Sequence, residues 1–244
     1  MEIDALGLRY RELNVRLREA VANGVGRIVV RNVYGQRYLG TDLHAPVEIH
    51  IQGTPGNDLA AFMDGPRLVV HGNAQDGCGN TMNGGEVIIH GRAGDVTGYS
   101  MRGGKIFVRD DVGYRVGIHM KEYQGRRPAI VIGGTPQHFL GEYMAGGALV
   151  VLGLTLQPGQ HHIAEFIGTR MHGGVMYIRG ELEEYQLGRE VGQVPLDEED
   201  RTLLGELVGA YCAHFGVEAN QVFCQSFTKL IPLSSRPYGR LYAY

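Results

Sequence analysis

Gly79-Asn80-Thr81-Met82-Asn83-Gly84-Gly85-Glu86-Val87-Ile88-Ile89 is followed, 19 residues on, by Gly98-Tyr99-Ser100-Met101-Arg102-Gly103-Gly104-Lys105-Ile106-Phe107-Val108. Both stretches carry a Gly-x-x-Met step, a glycine pair and a short apolar run. Working outward, the Gly-x-x-Met step returns at Gly117/Met120, Gly141/Met144 and Gly168/Met171, with Ala60/Met63 as a degenerate copy. Six of the eight methionines therefore share one column. The glycine pair returns at Gly146-Gly147 and Gly173-Gly174. Apolar runs begin at Ile28, Val47, Leu68, Val87, Ile106, Ile130, Leu149 and Met176, at spacings of 19, 21, 19, 19, 24, 19 and 27. Two markers in phase over so many copies identify an internal repeat.

A 19-residue unit is too short for a strand-plus-helix repeat or a four-stranded blade. It fits one coil of a solenoid whose strands stack in parallel on the next coil. The 38 glycines are more than twice the usual share of about 7%. They supply corners where a side chain would be penalised. The fold class expected is thus all-β, a right-handed parallel β-helix, since parallel crossovers are right-handed in about 98% of cases. Eight coils at the inter-strand spacing of about 4.8 Å would make a rod roughly 35–40 Å long. No coil could fold alone, because stacking is what buries a continuous core.

Alternation in a strand sends the first and third residues of each run inward. The third column reads Val30, Ile49, Val70, Ile89, Val108, Ile132, Val151 and Ile178, all β-branched. The second column, facing outward, reads Val29, Glu48, Val69, Ile88, Phe107, Val131, Val150 and Tyr177. An apolar outer stripe is expected to be covered, either by the chain's own termini or, the favoured reading, by a partner protein. Two insertions break phase, around residues 121–126 and 156–162, and such loops are where partner contacts usually grow.

The flanks are helical. Tyr10, Leu13, Leu17 and Val21 fall on one face of a segment that Asn23-Gly24 stops. Asp197 can cap a second helix running to Phe215 and ended by Gly216. At least one of the two is expected to close an open end of the solenoid. The organisation expected is an N-terminal helical cap over 1–24, the β-helix over 25–185, and a C-terminal helix and tail over 186–244. The tail from Phe227 to Tyr244 is aromatic and basic and is expected along the rod or on a partner.

A formal net charge of -3 gives no bias toward nucleic acid. No apolar run approaches the roughly 20 residues of a membrane span, and the first residues lack a signal-peptide pattern. Three distant cysteines, Cys78, Cys212 and Cys224, fit a reducing cytoplasm. Chemistry-bearing motifs are absent: there is no phosphate loop, no third glycine after Gly77-Cys78-Gly79, no Cys-x-x-Cys and no nucleophile elbow. Cys78 is read as a small packed residue. The fourth outer column places His50, His71 and His90 on successive coils. That is compatible with zinc but flanked by arginines, so a polar ladder is favoured over a metal site. Its rings would resist charging together, and mild acid is expected to weaken assembly. His119, His161 and His162 are read as polar loop residues. The reading assigns no catalytic, cofactor-binding or metal residue to this chain.

The columns resemble the glycine-rich GXGXG β-helix domain, which forms the C-terminal part of the glutamate synthase large subunit and also occurs as one polypeptide of formylmethanofuran dehydrogenase. The resemblance covers roughly residues 25–185. Its most specific segments are Gly113–Tyr123, Phe139–Gly147 and Gly168–Gly174, closer to the stand-alone glutamate synthase form. The resemblance implies a non-catalytic subunit that docks a glutaminase (amidotransferase) subunit against a synthase subunit carrying FMN and iron–sulfur clusters, for glutamine-dependent amination of 2-oxoglutarate. Related complexes it implies as alternatives are formylmethanofuran dehydrogenase and N-methylglutamate synthase. A solitary polysaccharide-acting β-helix enzyme would need a charged outer groove, where this chain has an apolar stripe.

Overall fold

The computed structural model describes residues 1–234. Strands β1 (Glu2–Asp4), β2 (Arg27–Tyr34), β3 (Glu48–Thr54), β4 (Arg67–His71), β5 (Glu86–Ile89), β6 (Lys105–Val108), β7 (Ala129–Ile132), β8 (Ala145–Val151) and β9 (Gly173–Arg179) stack in chain order. Every neighbouring pair among them is parallel. The chain is a parallel β-solenoid. Each strand is short, four to eight residues beyond β1, because the chain must turn a corner before it can meet the next coil.

The register runs Ile28, Ile49, Leu68, Val87, Ile106, Ile130, Leu149 and Met176 along one inward column. This corrects the expected alignment at the second coil, where Ile49, and not Val47, heads the strand. Val47-Glu48-Ile49 and Ile49-His50-Ile51 alternate equally well, so periodicity alone could not choose. A bulge between Val30 and Val33 adds one residue to β2, in a first coil where Ile28 pairs with Ile49, two residues beyond the expected Val47. Glu48 consequently leaves the apolar stripe and joins a different column: Arg27, Glu48, Arg67, Glu86 and Lys105 pair in succession. Charge alternates along it, with Arg67 Nε 3.0 Å from Glu86 and Arg67 Nη1 3.4 Å from Glu48. A slip of one coil would bring like charges opposite one another, so this ladder specifies register.

Opposite the strands lies a second wall made of turns. It repeats a six-residue unit, from Tyr38-Leu39-Gly40-Thr41-Asp42-Leu43 through Arg115-Val116-Gly117-Ile118-His119-Met120 to Phe166-Ile167-Gly168-Thr169-Arg170-Met171. The first, third and fifth residues of each unit have positive φ. Neighbouring units bond through those residues: Gly98 N donates to Cys78 O at 2.7 Å and Val96 N to Tyr114 O at 2.8 Å. The middle residue is glycine in six of the seven units, since an added Cβ at Gly98 or Gly117 would strike Ile130 or Leu149 in the core. The sixth column is Leu43 and then the six repeated methionines, from Met63 to Met171, all buried. Long unbranched side chains fill the irregular space between the turn wall and the strand wall. Cys78 occupies the second column with Leu59, Thr97, Val116 and Leu140, a packed interior position as expected.

The two ends are closed differently. Helix α1 (Tyr10–Ala22) places Leu13, Leu17 and Ala20 in the core beside the first coil, as a cap. At the other end β11 (Phe227–Pro232) joins antiparallel to β9, and β10 (Val191–Val194) joins antiparallel to β11. Leu182, Val191 and Leu230 complete the core there. Helix α2 (Glu198–Phe215) has the expected bounds, with Asp197 and Asp200 capping reciprocally and Gly216 left-handed at φ 68°. It is not an end cap. Leu204, Leu207, Val208 and Tyr211 pack on Val69, Ile88, Phe107, Val131, Val150 and Tyr177, with Val222 of the short helix α3 (Ala219–Phe223) beside them. The outer apolar stripe is therefore covered by the chain itself and is not the open partner surface favoured from the sequence. Of the basic, aromatic tail, Phe227–Pro232 is β11, and 235–244 lie outside the described residues.

Candidate functional site

With the stripe covered, the turn wall, the first strands and the two insertions are among the surfaces left open on the solenoid. The turn wall carries side chains where glycine would be the least strained residue. Fourteen of the sixteen non-glycine residues with positive φ lie in its repeating unit, Phe62, Val96, Arg115, His119, Phe139, Tyr143, Phe166 and Arg170 among them. At the first and fifth positions of the unit side chains face away from the core, whereas the middle position faces it and holds glycine or the buried Ala60; several of the outer ones stack from coil to coil. Phe139 and Phe166 are parallel at 4.8 Å, and His119 lies on Tyr143 at 5.0 Å with Tyr99 edge-on to it. The Arg115 guanidinium sits 4.8 Å above Phe139 and pairs with Glu142 at 2.9 Å. Arg170 covers and hydrogen-bonds Tyr143. Phe166 is 47% exposed, Phe62 49%, Tyr114 42% and Tyr99 39%. Large aromatics at that exposure, pre-ordered by stacking, are what a protein-binding surface uses as anchors. His119, read as a loop polar residue, belongs to this face.

The His50, His71 and His90 rings stack at 5.4 Å, within 10° and 14° of parallel. They do so although His50 is not in their column: it pairs with Val69, while Gln52 pairs with His71. The His50 ring leans across to bring Nδ1 within 3.0 Å of His71 Nε2, and its Nε2 meets Glu48 Oε1 at 2.5 Å and Arg27 at 3.3 Å. The last ring, His90, is edge-on to Phe215 of α2 at 5.1 Å. Burial and then the neighbouring His50 charge hold His71 below the ordinary histidine value. For His90 the causes are burial, then His71, Arg109 and His214. The stack is thus a polar ladder locked to the end of α2. Among the described residues no group of three or more His, Cys, Asp or Glu is arranged to hold a metal ion.

The first insertion folds back on the rod. Tyr123 and Arg126 pair antiparallel around Gln124 and Gly125, both with positive φ, a two-residue hairpin turn. Arg126 Nη1 then reaches Asp64 at 2.8 and 2.9 Å and Asn83 O at 3.0 Å, tying the loop to earlier coils. Tyr123 stays exposed, flanked by Arg102 and Lys121. The second insertion borders a cleft of about 400 Å³ lined by Leu156, Gln160, His161, Arg179, Glu181 and Ser226. His161 is exposed there, but His162 is only 6% exposed, Nε2 bonding to Arg179 O at 3.0 Å. The expectation of a loop polar residue is corrected for His162: it is part of the packing, and burial depresses its pKa. Its burial was hidden because a histidine pair inside a Gly/Pro/Gln-rich loop looks solvated. Burial likewise pushes the Cys78 thiol up to about 12, far from a reactive thiolate.

The aromatic face went unrecognised in the sequence because its members come from positions one, four and five of the turn unit, not from strands. The signal was present: aromatic, arginine or histidine residues two before or after the repeated glycine. No helix among the described residues is long and apolar enough to cross a membrane. The family described as "GXGXG motif" matches residues 11–234. An uncharacterized protein of Methanocaldococcus jannaschii is 47% identical over 248 residues, covering 98% of this chain and 95% of its own.

Proposed function

The chain belongs to the GXGXG motif family, and from that premise we propose that it is a structural subunit of a glutamate synthase-type complex. In this reading it holds a glutaminase subunit against a synthase subunit that carries FMN and iron–sulfur clusters, and supplies no catalytic residue or cofactor of its own. The observation that carries the proposal is the solvent-facing, coil-to-coil stack of Arg115, His119, Phe139, Tyr143 and Phe166, all held in left-handed backbone conformations, with Tyr99 edge-on to His119. Non-glycine residues there cost about 1–2 kcal/mol each, and strain of that kind is kept where the side chain has work to do. A covered stripe on one side and a bare aromatic wall on the other make the wall, with Tyr123 of the first insertion, the docking surface.

The test is purification of the tagged full chain from its native cells, with mass spectrometry and a visible absorption spectrum. A glutaminase-type and a flavin/iron–sulfur polypeptide should co-purify, and Phe139→Ala with Phe166→Ala should release them while the chain stays folded. A chain that emerges alone from wild-type cells, or bound to a molybdopterin protein, would overturn the assignment. The cytoplasm is the compartment this reading requires.

A further inference from the structure

We infer that the His50–His71–His90 stack is a pH-operated latch on the last turn of α2, holding that turn against the sheet at neutral pH and releasing it in mild acid. The inference goes beyond the scaffold reading and does not depend on which partners exist.

The geometry allows one proton between His50 Nδ1 and His71 Nε2, which face each other at 3.0 Å. One nitrogen must donate and the other accept, so that bond survives a single charge on the pair and not two. His50 Nε2 lies 2.5 Å from Glu48 Oε1 and 3.3 Å from Arg27. A proton added to His71 meets the His50 and His90 rings at 5.4 Å on either side. Arg67, on the same strand, is engaged by Glu48 and Glu86. A proton on His90 meets His71, Arg109 and His214. Arg109 is held by Asp110 at 3.0 Å, and His214 Nε2 lies 3.3 Å from Glu86 Oε1 without hydrogen-bond geometry. Lys105 completes the charges on the facing strands. The carbonyl end of α2 pulls the other way, by an effect confined to its last turn. The balance on His71 and His90 is against charge, and burial is the first cause for both.

The coupling to α2 is direct. His90 touches Phe215 edge-on at 5.1 Å, Phe215 packs on Tyr211 at 4.7 Å, and His214 meets Phe107 edge-on at 4.8 Å. Charging adjacent rings splays the stack and removes the surface against which Phe215 sits. Beneath that turn are Ile88 and Phe107, both buried and both members of the apolar stripe. The sign follows from linkage. With folded pKa values below the ordinary one, the docked turn binds fewer protons than the released turn. Docking is therefore complete above about pH 6.5 and weakens as pH falls through and below that value.

The experiment uses the full chain. Histidine C2–H resonances are titrated by NMR, and amide exchange is followed over residues 204–216 at about pH 7.5 and about pH 5, corrected for intrinsic rates. Protection at residues 211–216 should fall about tenfold in acid while residues 204–208 change little, with a midpoint matching His71 and His90. The paired variant His71→Asn, His90→Asn should abolish the difference between the two pH values. If that variant does not fold, the coincidence of midpoints in the wild-type chain decides. Protection at 211–216 that is equal at both pH values, or that falls equally in the variant, would overturn the latch.

Discussion

The strand wall and the turn wall enclose the same core and are stabilised by different means. The strand wall holds itself with β-branched residues, backbone ladders and an outer helix, and tolerates any side chain that fits a pleated surface. The turn wall reaches neighbouring coils through N–H groups of residues in the left-handed region, and its middle glycine touches the core. Side-chain chemistry makes the first wall and the lack of a side chain makes the second. A wall of the second kind leaves its outer positions free to carry something other than packing, and here they carry aromatics and arginines.

The largest effect is expected from Gly98→Ala. The added Cβ would strike Ile130 Cδ1 at a φ of 73°, so we expect a loss of about 3 kcal/mol in urea unfolding. A loss below about 1 kcal/mol would show that the turn wall does not depend on glycine as stated. Next comes Asp200→Asn. Asp200 is buried, accepts from Tyr177 Oη at 2.6 Å and is held by Lys229, anchoring the first turn of α2 to β9. Burial raises its pKa, but the hydrogen bonds from Lys229 and Tyr177 outweigh that and leave it lowered. Its stabilisation is therefore present above about pH 4 and lost as pH falls through the lowered value. The variant should lose about 1–3 kcal/mol at neutral pH and show a shallower acid limb in a melting-temperature profile.

Glu86→Lys sets like charges beside Arg67 and Lys105 in the outer ladder. About 1 kcal/mol should be lost at low salt and much of it recovered near 1 M salt. Salt-independent loss would mean that packing of the stem matters and charge does not. The smallest effect is expected at Val96→Gly, two residues before Gly98. Relief of a left-handed valine (φ 50°) offsets the entropy of a new glycine, so stability should stay within about 1 kcal/mol of wild type. Gly98→Ala and Val96→Gly together ask whether the left-handed positions differ in what they touch.

Repeat, inward columns and both helix bounds were legible because each rests on local pattern: β-branched runs, methionine spacing, Asp197 and Gly216 as caps. What local pattern could not supply was placement. The outer column from Val69 to Tyr177 announced that something covers it, and α2 announced an apolar face, but neither names the other. The His50 register was ambiguous because two overlapping triplets alternate equally well around Ile49. The outward charges at Arg27, Glu48, Arg67, Glu86 and Lys105 could have decided it, had the residue before each run been read as a column. The stacked histidines were legible as neighbours in the right places for a partly wrong reason, since His50 reaches His71 by a tilted ring and not by pairing.

Helix α2 has a mechanical consequence. In a pile of coils that touch only their neighbours, segments can peel away one at a time from either end. A rigid rod-like element laid across β5 to β9 acts as a splint, since no coil beneath it can leave without lifting the helix from the rest. The coils of β2 to β4 lie mostly beyond its reach, touched through Val69 and the histidine stack, and are held at their end by the α1 plug and from the first insertion by the Arg126 tie to Asp64. Fraying should accordingly start at the amino-terminal end and halt where the splint begins, giving the rod a loose lip and a stiff shaft.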